Sequence, residues 1–422
     1  MSSPPEVIRS SIVQRFPFFY GWVILLVGAL GTFMTVPGQT VGISVFLDSI
    51  IADLGITRTT ASLLYTLATL VASLGLPFVG RAIDSWGPRI AVVVISGLFA
   101  LACGFMGIVV GPVLLFVGFV LLRWLGQGSL PMVSMHGVNL WFIRRRGLAV
   151  GLAGVGFMLS FTVLPPVIDY LIQNLGWRNA YVVLGGLVAT TILPLGAIFF
   201  RTRPERFGLE PDGGHRPGQT SASASEQNFT LNQASRTGIF WLYVAAGFCL
   251  AMIGTAMGFH HYDILTQNGV TRSVATTAFG ALGIVAASAN LITGALLDRL
   301  PYRLFLGIQM VMMIVSMFLM GTVTEISGVI LYGIVTGVML GSFMPVSASV
   351  YAKFFGRKHL GTIKGTTSTI GVAASAVGPL VFSLGYDLMG SYMPVLIITA
   401  FFPLAVLVAA PLVRLPKLPE NP

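Results

Sequence analysis

From Phe16 to Val413 the chain alternates long apolar runs with short polar gaps, and the runs match the thickness of a lipid bilayer. A hydrocarbon core of ~30 Å takes about 20 apolar residues of helix. Cutting at the charged and turn-rich gaps gives about twelve spans on that criterion. They cover residues 16–47, 58–80, 89–110, 112–142, 147–172, 180–200, 237–263, 272–297, 304–323, 328–353, 361–386 and 391–413. Inside lipid each run must satisfy its own backbone, which makes them helices. The first is too long for one straight crossing, and Pro37-Gly38 predicts a break near its outer end. Composition agrees. Of 422 residues 55% are hydrophobic and 9% charged, where a soluble domain carries about 25% charge. So little charge excludes a soluble enzyme, a secreted disulfide scaffold and a disordered chain. The only cysteines, Cys103 and Cys249, both lie in apolar runs and offer neither a disulfide framework nor a metal motif.

The net charge of +10 is distributed as membrane topology requires, not as a nucleic-acid surface. With the N-terminus inside, nearly all lysines and arginines fall in cytoplasmic segments. Arg58, Arg178 and Arg272 are left on the opposite side and Arg123 within a span. That asymmetry predicts two cytoplasmic termini. Residues 201–236, rich in Ser, Gly, Pro and charge, read as a flexible cytoplasmic linker between six-span halves at 1–200 and 237–422. The halves repeat. Gly80, Asp84 and Arg89 recur with the same spacing as Gly294, Asp298 and Arg303. The loop Phe142-Ile-Arg144-Arg145-Arg146-Gly147 corresponds to Phe355-Gly-Arg357-Lys358-His359-Leu-Gly361. The expected fold is therefore an all-α membrane protein with twelve transmembrane helices in two six-helix pseudo-repeats, the arrangement of one large transporter fold.

With these motifs the chain resembles the major facilitator superfamily over essentially its whole length. Residues 80–89 are similar to the superfamily's G-x-x-x-D-(R/K)-x-G-(R/K)-(R/K) loop, with Ser85 and Pro88 as departures, and Leu122–Gly128 is similar to its fourth-helix arginine motif. Trp141-Phe142, the basic cluster 144–146 and the run Gly147–Gly156 resemble the signature of the monocarboxylate porters, shared with the oxalate–formate exchangers. That resemblance implies a secondary active carrier of a small organic anion working by alternating access, with a proton as candidate co-substrate. The porters' first-span lysine has no counterpart in Val36–Thr40, nor do their eighth-span aspartate and arginine, where Ala286 and Asn290 stand. The alternative reading keeps the fold and changes the cargo to a neutral or hydrophobic solute leaving the cell. No G-x-x-x-x-G-K-(S/T) loop is present, which argues against ATP-driven transport. No enzymatic chemistry, cofactor or metal is expected. The expected partners are the anion, the proton and the bilayer of a bacterial inner membrane, with a monomeric chain and no nucleic acid.

Arg123 stands out chemically. It lies ~17 Å from the start of its span near Gly111, close to mid-membrane. A charge there costs at least ~2.5 kcal/mol, so it must face a cavity or a partner. It is a candidate for the substrate carboxylate, or for packing on neighbouring carbonyls. Thr32, Thr255, Asn290 and Ser342 are the accompanying mid-depth candidates for substrate binding. Asp84, Arg89, Arg144, Arg145, Arg146, Asp298, Arg303 and Arg357 are candidates for a gate formed by loop acids and arginines. His260, His261 and Asp263, at the outer end of the seventh span, are a candidate proton relay or a solvated interfacial cluster. Gly147, Gly151 and Gly154 are expected to let helices approach closely.

Overall fold

The structure is a computed structural model that describes Val13 and residues 15–142, 145–213, 229–297, 299–356 and 360–414. The expected helices form because nothing in the runs interrupts them except proline and glycine, and these two set the boundaries. In the first half the helices are α1 (Gly21–Phe33), α2 (Thr40–Leu54), α3 (Arg58–Trp86), α4 (Pro88–Met106), α5 (Pro112–Leu122), α6 (Leu130–Trp141) and α7 (Arg146–Phe199). Proline opens α4 and α5, where its missing N–H is not needed. Gly55, in the left-handed region at φ 62°, ends α2. Gly176, at φ 77° and ψ 160°, breaks α7 into two spans. Among the described residues eleven helical stretches are long and apolar enough to cross a membrane, and the break at Gly176 makes twelve spans of them.

Beyond the linker come α8 (Leu231–Ser235), α9 (Gly238–Phe259), α10 (His261–Gln267), α11 (Arg272–Leu296), α12 (Tyr302–Thr322), α13 (Ile326–Phe355), α14 (Leu360–Met389) and α15 (Tyr392–Ala409). Packing divides the chain into two units: Met1–Gly55 with Val71–Thr220, and Ile56–Leu70 with Ser221–Pro422. The first part of α3 thus packs with the second unit. In the first unit α1 lies on α6 and α7, and α4 on α7; in the second, α9 lies on α14, α11 on α13, and α12 on α13 and α15.

The α11–α13 crossing is built on a row of glycines. Gly333, Gly337 and Gly341, one turn apart, sit so close to the backbone of Ala278, Leu282 and Ala286 that an added Cβ would strike carbonyl oxygens at 2.4, 2.8 and 2.2 Å. Small residues at helical spacing permit this approach where lipid gives no hydrophobic drive. The expected stripe at Gly151 does not serve in this way, since a Cβ there would meet nothing within 4 Å.

Several expectations need correction. The break in the first span falls at Val36–Gly38, where Pro37-Gly38 predicts it, but the stretch extends from Gly21 to Leu54, so the break lies near its middle and not near its outer end. Parts of 201–236 are ordered: Phe207 stacks on Trp141, and Thr230 with Gln233 forms a capping box that starts α8. Phe229, fully buried, takes the Phe355 carbonyl as acceptor for its backbone N–H. Tyr20 is 1% exposed among aromatic neighbours and donates its hydroxyl to the Phe199 carbonyl at 2.8 Å.

Candidate functional site

In the first unit the polar groups gather where the first span breaks. Thr35-Val36-Pro37-Gly38-Gln39 leaves the helix for a single 3₁₀ turn because proline cannot donate and glycine allows close contact. Gly38 lies against Gly126, and a Cβ at Gly38 would meet the Leu122 carbonyl oxygen at 2.4 Å. The fourth span answers the break with its own irregularity, a π-helical turn at Arg123–Ser129, a feature that often marks functional positions. Arg123 is 2% exposed. Its Nη1 donates to the Gly38 carbonyl at 3.3 Å and to Thr40 Oγ1 at 3.4 Å. Thr35 Oγ1 donates to the Thr32 carbonyl at 2.7 Å, and Gln39 Nε2 to Thr35 Oγ1 at 3.2 Å. Thr35 and Gln39, both buried, are site residues that the sequence reading missed.

The electrostatics of this break are one-sided. Gln39, the N-cap of α2, makes no side-chain capping bond, so the helix presents the positive end of its dipole where Arg123 places a guanidinium. Discontinuous helices of this kind build ion and substrate sites at mid-membrane. Thr32 belongs to this cluster through its carbonyl only, because its hydroxyl is donated to Ala29 O at 2.8 Å.

Thr255, Asn290 and Ser342 belong to the second unit. Ser342 Oγ is engaged by the Met339 carbonyl at 3.1 Å. Asn290, 6% exposed, stands one turn beyond Ala286 on the α11 face that receives Gly341. Thr255 is half-buried within α9.

The two adjacent histidines part company. Both are buried, at 0% and 1% exposure, so the solvated cluster is not what forms. His261 turns to α11: its Nε2 lies 3.0 Å from the Ala275 carbonyl, and its ring packs on Phe279 and Tyr332. Burial lowers its pKa to about 4, which keeps the ring neutral at physiological pH. His260 instead joins a chain of polar groups in the second unit. Its Nε2 is 2.9 Å from the Pro379 carbonyl and 3.3 Å from Ser383 Oγ, and its Nδ1 is 3.2 Å from Tyr392 Oη. Tyr392 Oη donates to Asp263 Oδ2 at 2.6 Å, and Arg58 Nε meets the same oxygen at 3.0 Å.

A carbonyl only accepts, so Nε2 of His260 carries a proton. Tyr392 has one hydroxyl proton and two neighbours. When it goes to Asp263, Nδ1 must bring its own proton to bond the phenol oxygen, and the ring is an imidazolium. When it turns to Nδ1, the ring is neutral. The chain can thus exist in two proton arrangements without moving a heavy atom.

Of the gate candidates, Arg144, Asp298 and Arg357 lie outside the described residues, as do the side chains of Asp84 and Arg146. Arg145 receives Asp212 through its backbone, N–H to Oδ1 at 3.0 Å. Arg89 and Arg303, the matching arginines of the two repeats, act alike. Arg89 Nε donates to the Ala197 carbonyl at 2.8 Å, and Arg303 Nη2 donates to the Val413 carbonyl. Each thereby holds the end of the last span of its own half, where a cation complements the helix dipole. Among the described residues, their partners are these carbonyls.

Two units of apolar, membrane-length helices, each carrying buried polar groups, are the architecture of a membrane carrier. The chain belongs to the Major Facilitator Superfamily, whose family model matches residues 21–267 and 239–422. Among curated proteins it is similar to mouse monocarboxylate transporter 6, 27% identical over 40% of this chain and 36% of that protein. It is similar too to the oxalate:formate antiporter of Oxalobacter formigenes, 24% identical over 65% of this chain and 60% of that protein. The alignments therefore span less than two thirds of these relatives' lengths. In fold it is similar to a bacterial homolog of the human lysosomal transporter Spinster, solved in an inward-facing and unoccupied conformation. There the TM-score is 0.67 at 15% identity, covering 93% of this chain and 95% of that one.

Proposed function

We propose that this protein carries a small organic anion of the monocarboxylate type across a bacterial inner membrane by alternating access, with both termini cytoplasmic. The observation that carries the reading is the buried Arg123 guanidinium beside the uncapped start of α2. Two positive features at one break in an apolar bundle attract a carboxylate, and a guanidinium's fork suits it geometrically. The matched relatives are named for transport of monocarboxylates and of oxalate and formate, all anions. The His260–Tyr392–Asp263 chain, with its two proton arrangements, is the element through which a proton would be coupled. His261 takes no part, being held neutral against α11.

A second reading is favoured by one observation: Arg123 already donates to Gly38 and Thr40. If pinning the break is its whole task, the cargo is a neutral or hydrophobic solute and the protein an exporter. Thermal-shift screening of the purified chain separates the two. A ligand that binds the folded state alone adds ~2.7 kcal/mol at a hundredfold excess over Kd. Lactate, pyruvate or oxalate should raise the melting temperature of the wild type and not of Arg123→Ala. Stabilisation by uncharged solutes alone, equal in both proteins, would select the exporter.

A further inference from the structure

The second unit contains a cavity of about 400 Å³ between α9, α12, α13 and α14, distinct from the break at Arg123. Its size is that of a small-molecule site. Three of the hydroxyls lining it are spent locally: Ser347, Thr367 and Ser375 donate to the carbonyls of Met344, Lys364 and Val372. Two other lining groups are not. Gln309, 2% exposed on α12, has an Nε2 with no hydrogen-bond partner among the described residues, and the same holds for the hydroxyl of Tyr243, 6% exposed on α9. A buried polar group left unmade costs ~1–3 kcal/mol, so two of them on one small cavity require a reason. The third feature is Lys364, half-buried at the start of the apolar stretch Ile363–Met389. No aspartate or glutamate lines the cavity with it. An ammonium, a phenol O–H and an amide N–H₂ facing one space are all donors, and what satisfies such a set is an acceptor with negative charge.

We infer that this cavity is a carboxylate subsite, in which Lys364 Nζ supplies the counter-charge and Tyr243 Oη and Gln309 Nε2 hydrogen-bond the carboxylate oxygens. This rests on the anion-carrier reading and adds a station for the substrate in the second unit. The sequence gives no hint of it, because Lys364 counts there merely as one more positive charge at a span end. Gln309 and Tyr243 lie in other spans altogether.

The test measures binding of lactate and of oxalate to the full-length protein in nanodiscs of zwitterionic lipid, with inorganic phosphate as comparison anion. Lys364→Met should weaken carboxylate binding about ten- to a hundredfold, as expected for loss of a charge-assisted hydrogen bond, whereas Lys364→Arg should retain most of it. Tyr243→Phe removes only the orphan hydroxyl. It should weaken binding several-fold while leaving the ligand-free melting temperature unchanged or higher, which a purely structural role for the hydroxyl would not give. Should Lys364→Met fail to fold, Tyr243→Phe and Gln309→Leu decide the matter. Unchanged carboxylate affinity in these variants, with the wild type binding normally, overturns the subsite and leaves the carrier reading standing. Phosphate bound as tightly as lactate, and lost equally in Lys364→Met, overturns it as a carboxylate site. A wild type that binds none of the carboxylates overturns both.

Discussion

Arg123 is held by the Gly38 carbonyl and Thr40 Oγ1 inside an apolar bundle, so its removal has two separable consequences. Arg123→Ala should abolish saturable anion uptake, since truncating one partner of a buried charged contact costs about 2–5 kcal/mol. Arg123→Lys keeps the charge but loses the fork, and should retain weak uptake with a raised KM. Both are read in proteoliposomes with labelled lactate. The histidines give a second residue-scale prediction. In the unfolded chain His261 takes a proton as pH falls through about 6.5, which the buried ring refuses until about pH 4. The unfolded state then binds more protons, so stability falls with acidification across that window. His261→Gln should lessen the drop in melting temperature between pH 6.5 and 4.5 and leave the pH profile of uptake alone. His260→Gln should flatten that profile. Counting along the helix puts Arg123 well inside its span, and its side chain is buried. Sequence could not separate the histidines. His260 sits at the junction of α9 and α10 and His261 opens α10, and which neighbour each meets depends on α11, α14 and α15, remote in the chain.

At the level of elements, glycine decides where helices touch. Gly341→Val would drive a side chain into the Ala286 carbonyl, so a backbone must shift, and such overpacking costs about 1–3 kcal/mol. Gly151→Ala should be neutral, as nothing lies near. Melting in detergent checks both. Span existence was legible from apolar length alone, and the broken first span from Pro37-Gly38. The break lies at Pro37-Gly38 as read, but the stretch runs on past residue 47 to Leu54, which puts the break near its middle. The close-packing stripe was sought at Gly147–Gly154, when helical spacing marks Gly333, Gly337 and Gly341 equally well. Spacing tells which residues share a face, not what the face meets.

Across the whole molecule the duplication is the clearest inheritance from sequence. Asp84/Arg89 and Asp298/Arg303 share a spacing, and the two arginines share a task, each tying down the end of its own half's last span. Arg89→Ala and Arg303→Ala should therefore cost similar, small amounts of stability, about 0.3–1 kcal/mol each. A latch role would show instead as a changed transport rate with unchanged melting. What sequence left hidden is the cargo, because superfamily motifs describe how the halves are built and the solute meets side chains scattered over many spans. The most direct measurement is counterflow of labelled lactate and oxalate in proteoliposomes bearing the purified wild type or Arg123→Ala. An anion carrier should concentrate at least one label against its unlabelled counterpart in the wild type and lose this in the variant. Equal counterflow in both proteins, or none in the wild type while an uncharged solute exchanges, would contradict it.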